Sequence, residues 1–145
     1  MKLFTIGYEG ATMDEFLSAL LAAGVQRVID VRAVASSRRP GFSKTALRNA
    51  LAEVGIDYVH LRALGTPADG RAAARAGRQA DLERIYDGQL QLPEAMVQAE
   101  QMRELAAEKP SALLCFERHP AGCHRTLLIR AEAPSAEVHD LVPGA

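Results

Sequence analysis

Two cysteines among 145 residues, Cys115 and Cys123, are too few to staple a small secreted domain. The opening Met1-Lys2-Leu3-Phe4-Thr5 lacks the apolar stretch of a secretory signal, so the chain is expected in the cytoplasm with both thiols reduced. Long hydrophobic runs are missing too. Arg, Asp or Glu interrupts every rich segment well short of the roughly 20 residues that span a bilayer, so no membrane partner is expected. Charge of one sign is not in excess. At a formal net charge of −1 the molecule has no global positive field to draw it to nucleic acid, and any polyanion binding must be local. Repeats, low-complexity tracts and linkers are absent, which leaves one domain over residues 1–145. With 48% hydrophobic and 24% charged residues, that domain has the composition of a globular fold rather than a disordered chain.

The periodicity alternates between strand and helix. Leu3 to Ile6 reads as a buried first strand stopped by Gly7. Thr12 and Glu15 form a capping box for a helix with Met13, Phe16, Leu17, Leu20 and Leu21 on one face, ended by Gly24. Val25 to Val31 reads as a second strand, and the basic stretch Arg32 to Phe42 as a loop. Ser43 is positioned to cap a second helix carrying Leu47, Ala50, Leu51 and Val54, and Tyr58 to Leu61 supplies a third strand. From Gly65 to Gly88 alanine and arginine alternate without an apolar stripe until Leu82, Ile85 and Tyr86, the pattern of a mobile excursion with a short helix. Pro93 starts a helix to about Glu108, with Ala95, Ala99, Met102 and Ala106 inward. Ala112 to Phe116, the most apolar run, predicts a central strand, followed by a loop over Arg118 to Gly122, a helix from about Cys123, and a last strand near Val138 to Leu141. The spacing predicts a Rossmann-like α/β fold: a three-layer sandwich with a central, mostly parallel sheet of about five strands and helices on both faces.

In such a sheet, ligands bind where strands end and helices begin. Tyr8 and Glu9 follow the first strand, Asp30 and Arg32 the second, His60 and Arg62 the third, and Glu117, Arg118 and His119 the fourth. The densest chemistry is Cys115-Phe116-Glu117-Arg118-His119-Pro120-Ala121-Gly122-Cys123-His124-Arg125. Cys123 in the first turn of a helix, next to His124 and Arg125, can be a stabilised thiolate or can simply pack and cap. Cys115 reads as a small core hydrophobe. A phosphatase or rhodanese loop does not fit, since Arg125 follows Cys123 by two positions with no cradle between. A metal site from Cys115, His119, Cys123 and His124 lacks the two-spaced cysteine pairs of zinc modules, and no metal is expected. Arg32, Ser36, Ser37, Arg38, Arg39, Lys44 and Arg48 make a local cationic cluster suited to phosphate, or a solvated surface. Arg32, directly after a buried strand, can point into the rim with Asp30 orienting it. Glu9 can act as acid or base or cap a helix. His60 reads as a satisfied core histidine or a rim residue.

Taken in order, Thr5-Ile6-Gly7-Tyr8-Glu9, Asp30-Val31-Arg32, Gly55 to Leu61, and Leu113-Leu114-Cys115-Phe116-Glu117 leading to Cys123-His124-Arg125 resemble family 488 of the domains of unknown function. The resemblance implies a compact prokaryotic α/β domain without an agreed biochemical activity. Its motif positions fall on Tyr8, Glu9, Asp30, Arg32, His60, Glu117, Cys123, His124 and Arg125. Ala33-Val34-Ala35 and Thr66-Pro67 depart from the family pattern. The sequence thus leads to two functional expectations. One is a small enzyme for a nucleotide, nucleic acid or other phosphorylated ligand. In it, Glu117, Cys123 and His124 are catalytic, and Tyr8, Glu9, Asp30, Arg32, Arg39, His60 and Arg125 bind substrate. The alternative is a non-catalytic phosphate- or nucleic-acid-binding module. No cofactor and no oligomeric state is legible.

Overall fold

A computed structural model describes residues 1–121 and 123–144; Gly122, in the expected loop after the fourth strand, and Ala145 lie outside the described residues. Five strands, β1 (Lys2–Gly7), β2 (Arg27–Asp30), β3 (Asp57–His60), β4 (Ser111–Cys115) and β5 (Glu137–Leu141), pair in the order β3-β2-β4-β1-β5. Every pairing is parallel. Among the described residues, six α-helices and a 3-10 turn (Arg62–Leu64) accompany them: α1 (Met13–Ala22), α2 (Lys44–Glu53), α3 (Ala68–Arg75), α4 (Gln79–Leu90), α5 (Pro93–Glu108) and α6 (His124–Glu132). The expected three-layer α/β sandwich is the observed fold. Among the described residues, no helix is long and apolar enough to cross a membrane.

Alternation along each strand divides the core. Phe4, Ile6, Val28, Ala112 and Leu114 face Phe16 and Leu20 of α1 and Leu47 and Leu51 of α2. Leu3, Ile29 and Leu113 face the opposite layer, where Tyr86 and Leu90 of α4, Met102 of α5 and Leu128 of α6 pack. β4 is buried along its whole length between β1 and β2, which is why it is the most apolar run. The capping box of α1 forms: Thr12 Oγ1 accepts from the Glu15 N–H at 3.1 Å, and Glu15 Oε1 accepts from the Thr12 N–H at 2.9 Å. The inward face expected for α5 is the buried one.

Three local expectations change. Val25 and Val31 are buried but lie outside β2, whose ladder covers Arg27–Asp30. Ser43 stands at the amino terminus of α2 without capping it. Its hydroxyl turns to Ser37, accepting from that residue's N–H at 3.0 Å, and so ties down the loop after β2. The segment from Gly65 to Gly88 holds two helices, α3 and most of α4. Alanine and glycine hid the inward side of α3, which buries Gly70 and Ala73; a Cβ on Gly70 would stand 2.6 Å from the Thr66 methyl. Leu82, Tyr86 and Leu90 recur every four residues on α4.

Register positions the site. Gly7 pairs with Cys115, and Asp30 pairs with both Leu114 and His60. The chain therefore leaves β1, β2, β3 and β4 at one edge of the sheet, with Gly7, Val31, Leu61 and Cys115 at one level and Tyr8, Arg32 and Glu117 following just beyond it.

Candidate functional site

Asp30 is fully buried at the end of β2 and holds Arg32 in a bidentate pair, Nε to Oδ1 at 2.9 Å and Nη2 to Oδ2 at 2.7 Å. The Tyr58 hydroxyl donates to the same carboxylate at 2.5 Å. Burial, with the hydrogen bond to Asp30, raises the Tyr58 phenol above its ordinary range. Arg32 Nη1 donates to the Phe42 carbonyl at 2.7 Å and to the Tyr8 hydroxyl at 3.2 Å. His60 Nε2 meets the Arg32 carbonyl at 2.7 Å; a carbonyl only accepts, so this nitrogen carries the proton. Arg32 reaches the rim as expected, but with its charge compensated and its donors engaged. Asp30 and His60 hold it there; Asp30 is fully buried and His60 is partly exposed, and neither lines a cleft.

The second assembly is built by one strand, one loop and one helix. Cys115 ends β4, Glu117 follows two residues later, Cys123 is the residue before α6, and His124 begins that helix. The Cys115 and Cys123 sulfurs are 2.7 Å apart, unbridged and buried. Cys123 Sγ lies 3.3 Å from Glu117 Oε2 and 3.9 Å from His124 Nδ1. His124 Nε2 meets the Val31 carbonyl at 2.8 Å. The hydrogen bond from Cys115 lowers the Cys123 thiol to about 6 against the opposing effect of burial, and His124 adds to the fall. Burial and the neighbouring Cys123 push the Cys115 thiol well up. Burial works against charge on Glu117 and His124. Even so, the carboxyl is lowered by a backbone hydrogen bond and by His124, and the imidazole is raised by Cys123. The corner thus concentrates negative charge on Cys123 and Glu117, and positive charge on His124.

These two assemblies meet in one cleft of about 870 Å³. Its wall includes Tyr8 and Arg32, the loop residues Ser36, Ser37, Arg38 and Arg39, Arg71 of α3, and Cys115, Phe116, Glu117 and His124. A smaller cleft on the far side of Phe116 shares Arg71, Glu117 and His124 and adds Glu9 and Arg75. Tyr8 stacks on Phe42, centroids 4.6 Å apart, and meets Phe116 edge-on. Phe116 remains 46% exposed on the wall shared by the two clefts.

Of the residues singled out in the sequence, Tyr8, Arg32, Arg39, Glu117 and His124 line the main cleft, and Cys123 lies directly behind it, 2% exposed. Glu9 faces the smaller cleft and accepts the Arg118 N–H at 3.0 Å. Arg125 is not on the surface of either. It is fully buried, with Nη2 on the Arg118 carbonyl at 3.3 Å and, among the described residues, no partner for Nε and Nη1. Cys115, read as inert core, turns instead toward Cys123 and joins the corner. His119 is exposed and takes no part in it. Two cleft residues had no signal in the sequence. Arg71 sits in the segment whose periodicity was blurred, and Phe116 looked like the last residue of a buried strand.

The family model described as domain of unknown function DUF488 matches residues 12–131, a span that takes in both assemblies but starts after Tyr8 and Glu9. No curated protein and no solved structure matches the chain.

Proposed function

We propose, for a chain that belongs to the DUF488 family, that the cleft is the active site of an enzyme acting on a phosphorylated ligand of the nucleotide class, with Glu117, Cys123 and His124 as the reacting groups. The observation that carries this reading is the charge of the wall. Arg38, Arg39 and Arg71 line the cleft, and among the described residues none of them is in an ion pair. Among the described residues, Glu117 is the one carboxylate on that wall. In a chain of net charge −1 this is a local cationic surplus, and guanidinium groups are suited to phosphate oxygens. Ser36 and Ser37 add hydroxyl donors. The exposed face of Phe116 suits a base, and the volume lies within the roughly 300–1,000 Å³ usual for small-ligand sites, which favours a mononucleotide over a duplex.

Thermal unfolding and calorimetry with adenosine monophosphate, adenosine and inorganic phosphate test the reading. The monophosphate raises the melting temperature more than adenosine does, and the Arg38→Ala/Arg39→Ala double variant weakens its binding about tenfold or more, the loss expected for two charge-assisted contacts. Turnover, followed by chromatography of the incubated nucleotide, disappears in Glu117→Gln. Absence of any shift with the four common nucleoside monophosphates overturns the proposal. Binding without turnover leaves the non-catalytic module.

A further inference from the structure

We propose that Cys115, Glu117, Cys123 and His124 form a binding site for one thiophilic divalent cation, with zinc the best match. The inference deepens the reading of this corner as the reacting centre and rests on it. Each of the four residues offers one ligand atom, and these atoms all lie within 4.8 Å of one another. Two sulfurs, an imidazole nitrogen and a carboxylate oxygen are the donor set of a tetrahedral zinc site, and the thiolates disfavour the hard cations magnesium and calcium. In a tetrahedral site with zinc–sulfur bonds of about 2.3 Å, the sulfurs stand about 3.8 Å apart. The pair at 2.7 Å therefore has to open by about 1 Å, which a small turn of the Cys123 side chain at the loop end supplies.

Two further observations point the same way. His124 gives its Nε2–H to the Val31 carbonyl at 2.8 Å and turns Nδ1 toward Cys123, where a metal ion would displace the Nδ1 proton and take its lone pair. Histidines that ligate metal are almost always anchored through the other ring nitrogen in this manner. The second is Arg125. Its guanidinium is fully buried, and among the described residues two of its nitrogens have no partner and it is in no ion pair. A buried cation of this kind requires a buried anion nearby, and its charge acts on Cys115. Two thiolates and a carboxylate around a divalent cation carry one net negative charge, the complement of Arg125. Glu117 lines the cleft and is the only one of the four ligands that is not buried, so its oxygen is the one that a ligand oxygen can replace.

Elemental analysis of the full chain, purified without chelator, tests the site together with cobalt titration of the reduced, metal-stripped protein. About one zinc per chain is expected, and cobalt should produce the thiolate charge-transfer band and the strong visible bands of a tetrahedral sulfur site. His119→Ala, outside the corner, keeps the stoichiometry, and Cys123→Ser loses it. The cobalt titration of the unaltered chain needs no variant to fold. A featureless cobalt titration with no bound zinc overturns the proposal, as does recovery of the freshly purified chain with Cys115 and Cys123 joined in a disulfide. The readout is independent of nucleotide: Arg38→Ala/Arg39→Ala leaves the cobalt spectrum unchanged even where it removes ligand binding, so failure of the metal site and failure of the proposed function are told apart.

Discussion

A methyl group on Gly7 would lie 1.5 Å from the Glu117 carbonyl oxygen and 2.8 Å from Arg125 Nη1. The first neighbour is backbone and cannot swing aside, because the Glu9 N–H donates to the adjacent Phe116 carbonyl at 2.8 Å. Gly7→Ala therefore has to push β1 away from the loop that carries Glu117. A loss of about 3 kcal/mol in urea unfolding is expected, at the upper end for an overpacked site. A near-neutral result would mean that the two loops are not in contact. At this scale much of the site was legible. Tyr8, Arg32 and Glu117 were found from their places after strands, and the pairing of Asp30 with Arg32 follows from two side chains that point the same way on an extended chain. Arg125 was legible as a motif residue but not as a buried one. Whether an arginine after a helix start turns outward or under the neighbouring strand depends on that strand being glycine at the crossing point.

Among the helices, α1 follows from its apolar spacing and capping box and α5 from its spacing and Pro93, whereas α3 and α4 do not follow from local signals. The inward side of α3 is glycine and alanine, which contribute little burial and give a weak periodic signal, whereas α4 buries Leu82, Tyr86 and Leu90 behind an amino terminus that no capping side chain marks. Gly88 makes the point testable. It lies inside α4, is exposed, and a Cβ there would meet no other atom within 4 Å. Gly88→Ala removes backbone entropy from the unfolded chain without a clash, so it is expected to stabilise the protein by about 0.5–1 kcal/mol in chemical denaturation. If the segment were the mobile excursion that its composition suggests, the substitution would leave stability unchanged. The distinction matters for function, since α3 brings Arg71 to the cleft wall.

For the molecule as a whole, acid is expected to act through carboxylates held below their ordinary values. Glu15 is lowered by the hydrogen bond from the Thr12 backbone, Asp57 by Lys109, and Glu137 by His139. A carboxylate whose folded value lies below its unfolded one contributes stability that is complete above the ordinary 4.5 or 3.8, and loses it as pH falls through the lower folded value. All three are exposed, so each effect is small. The melting temperature should decline gently between about pH 5 and pH 3, and Glu15→Gln should make that decline shallower; an unchanged slope would show that the capping box does not hold the charge in solution. The alternation of apolar strands with amphipathic helices was enough by itself to determine a parallel, three-layer sheet, because hydrophobic period is a local property and right-handed crossovers leave few ways to assemble it. The order of the strands places β4 between β1 and β2, and only the tertiary structure decided that. The same order sets the Cys115 thiol against Cys123, brings Val31 under His124 and closes Arg71 over the rim. Side-chain direction at a strand end, and contacts between segments far apart in the chain, are fixed by packing against neighbours that no local pattern names.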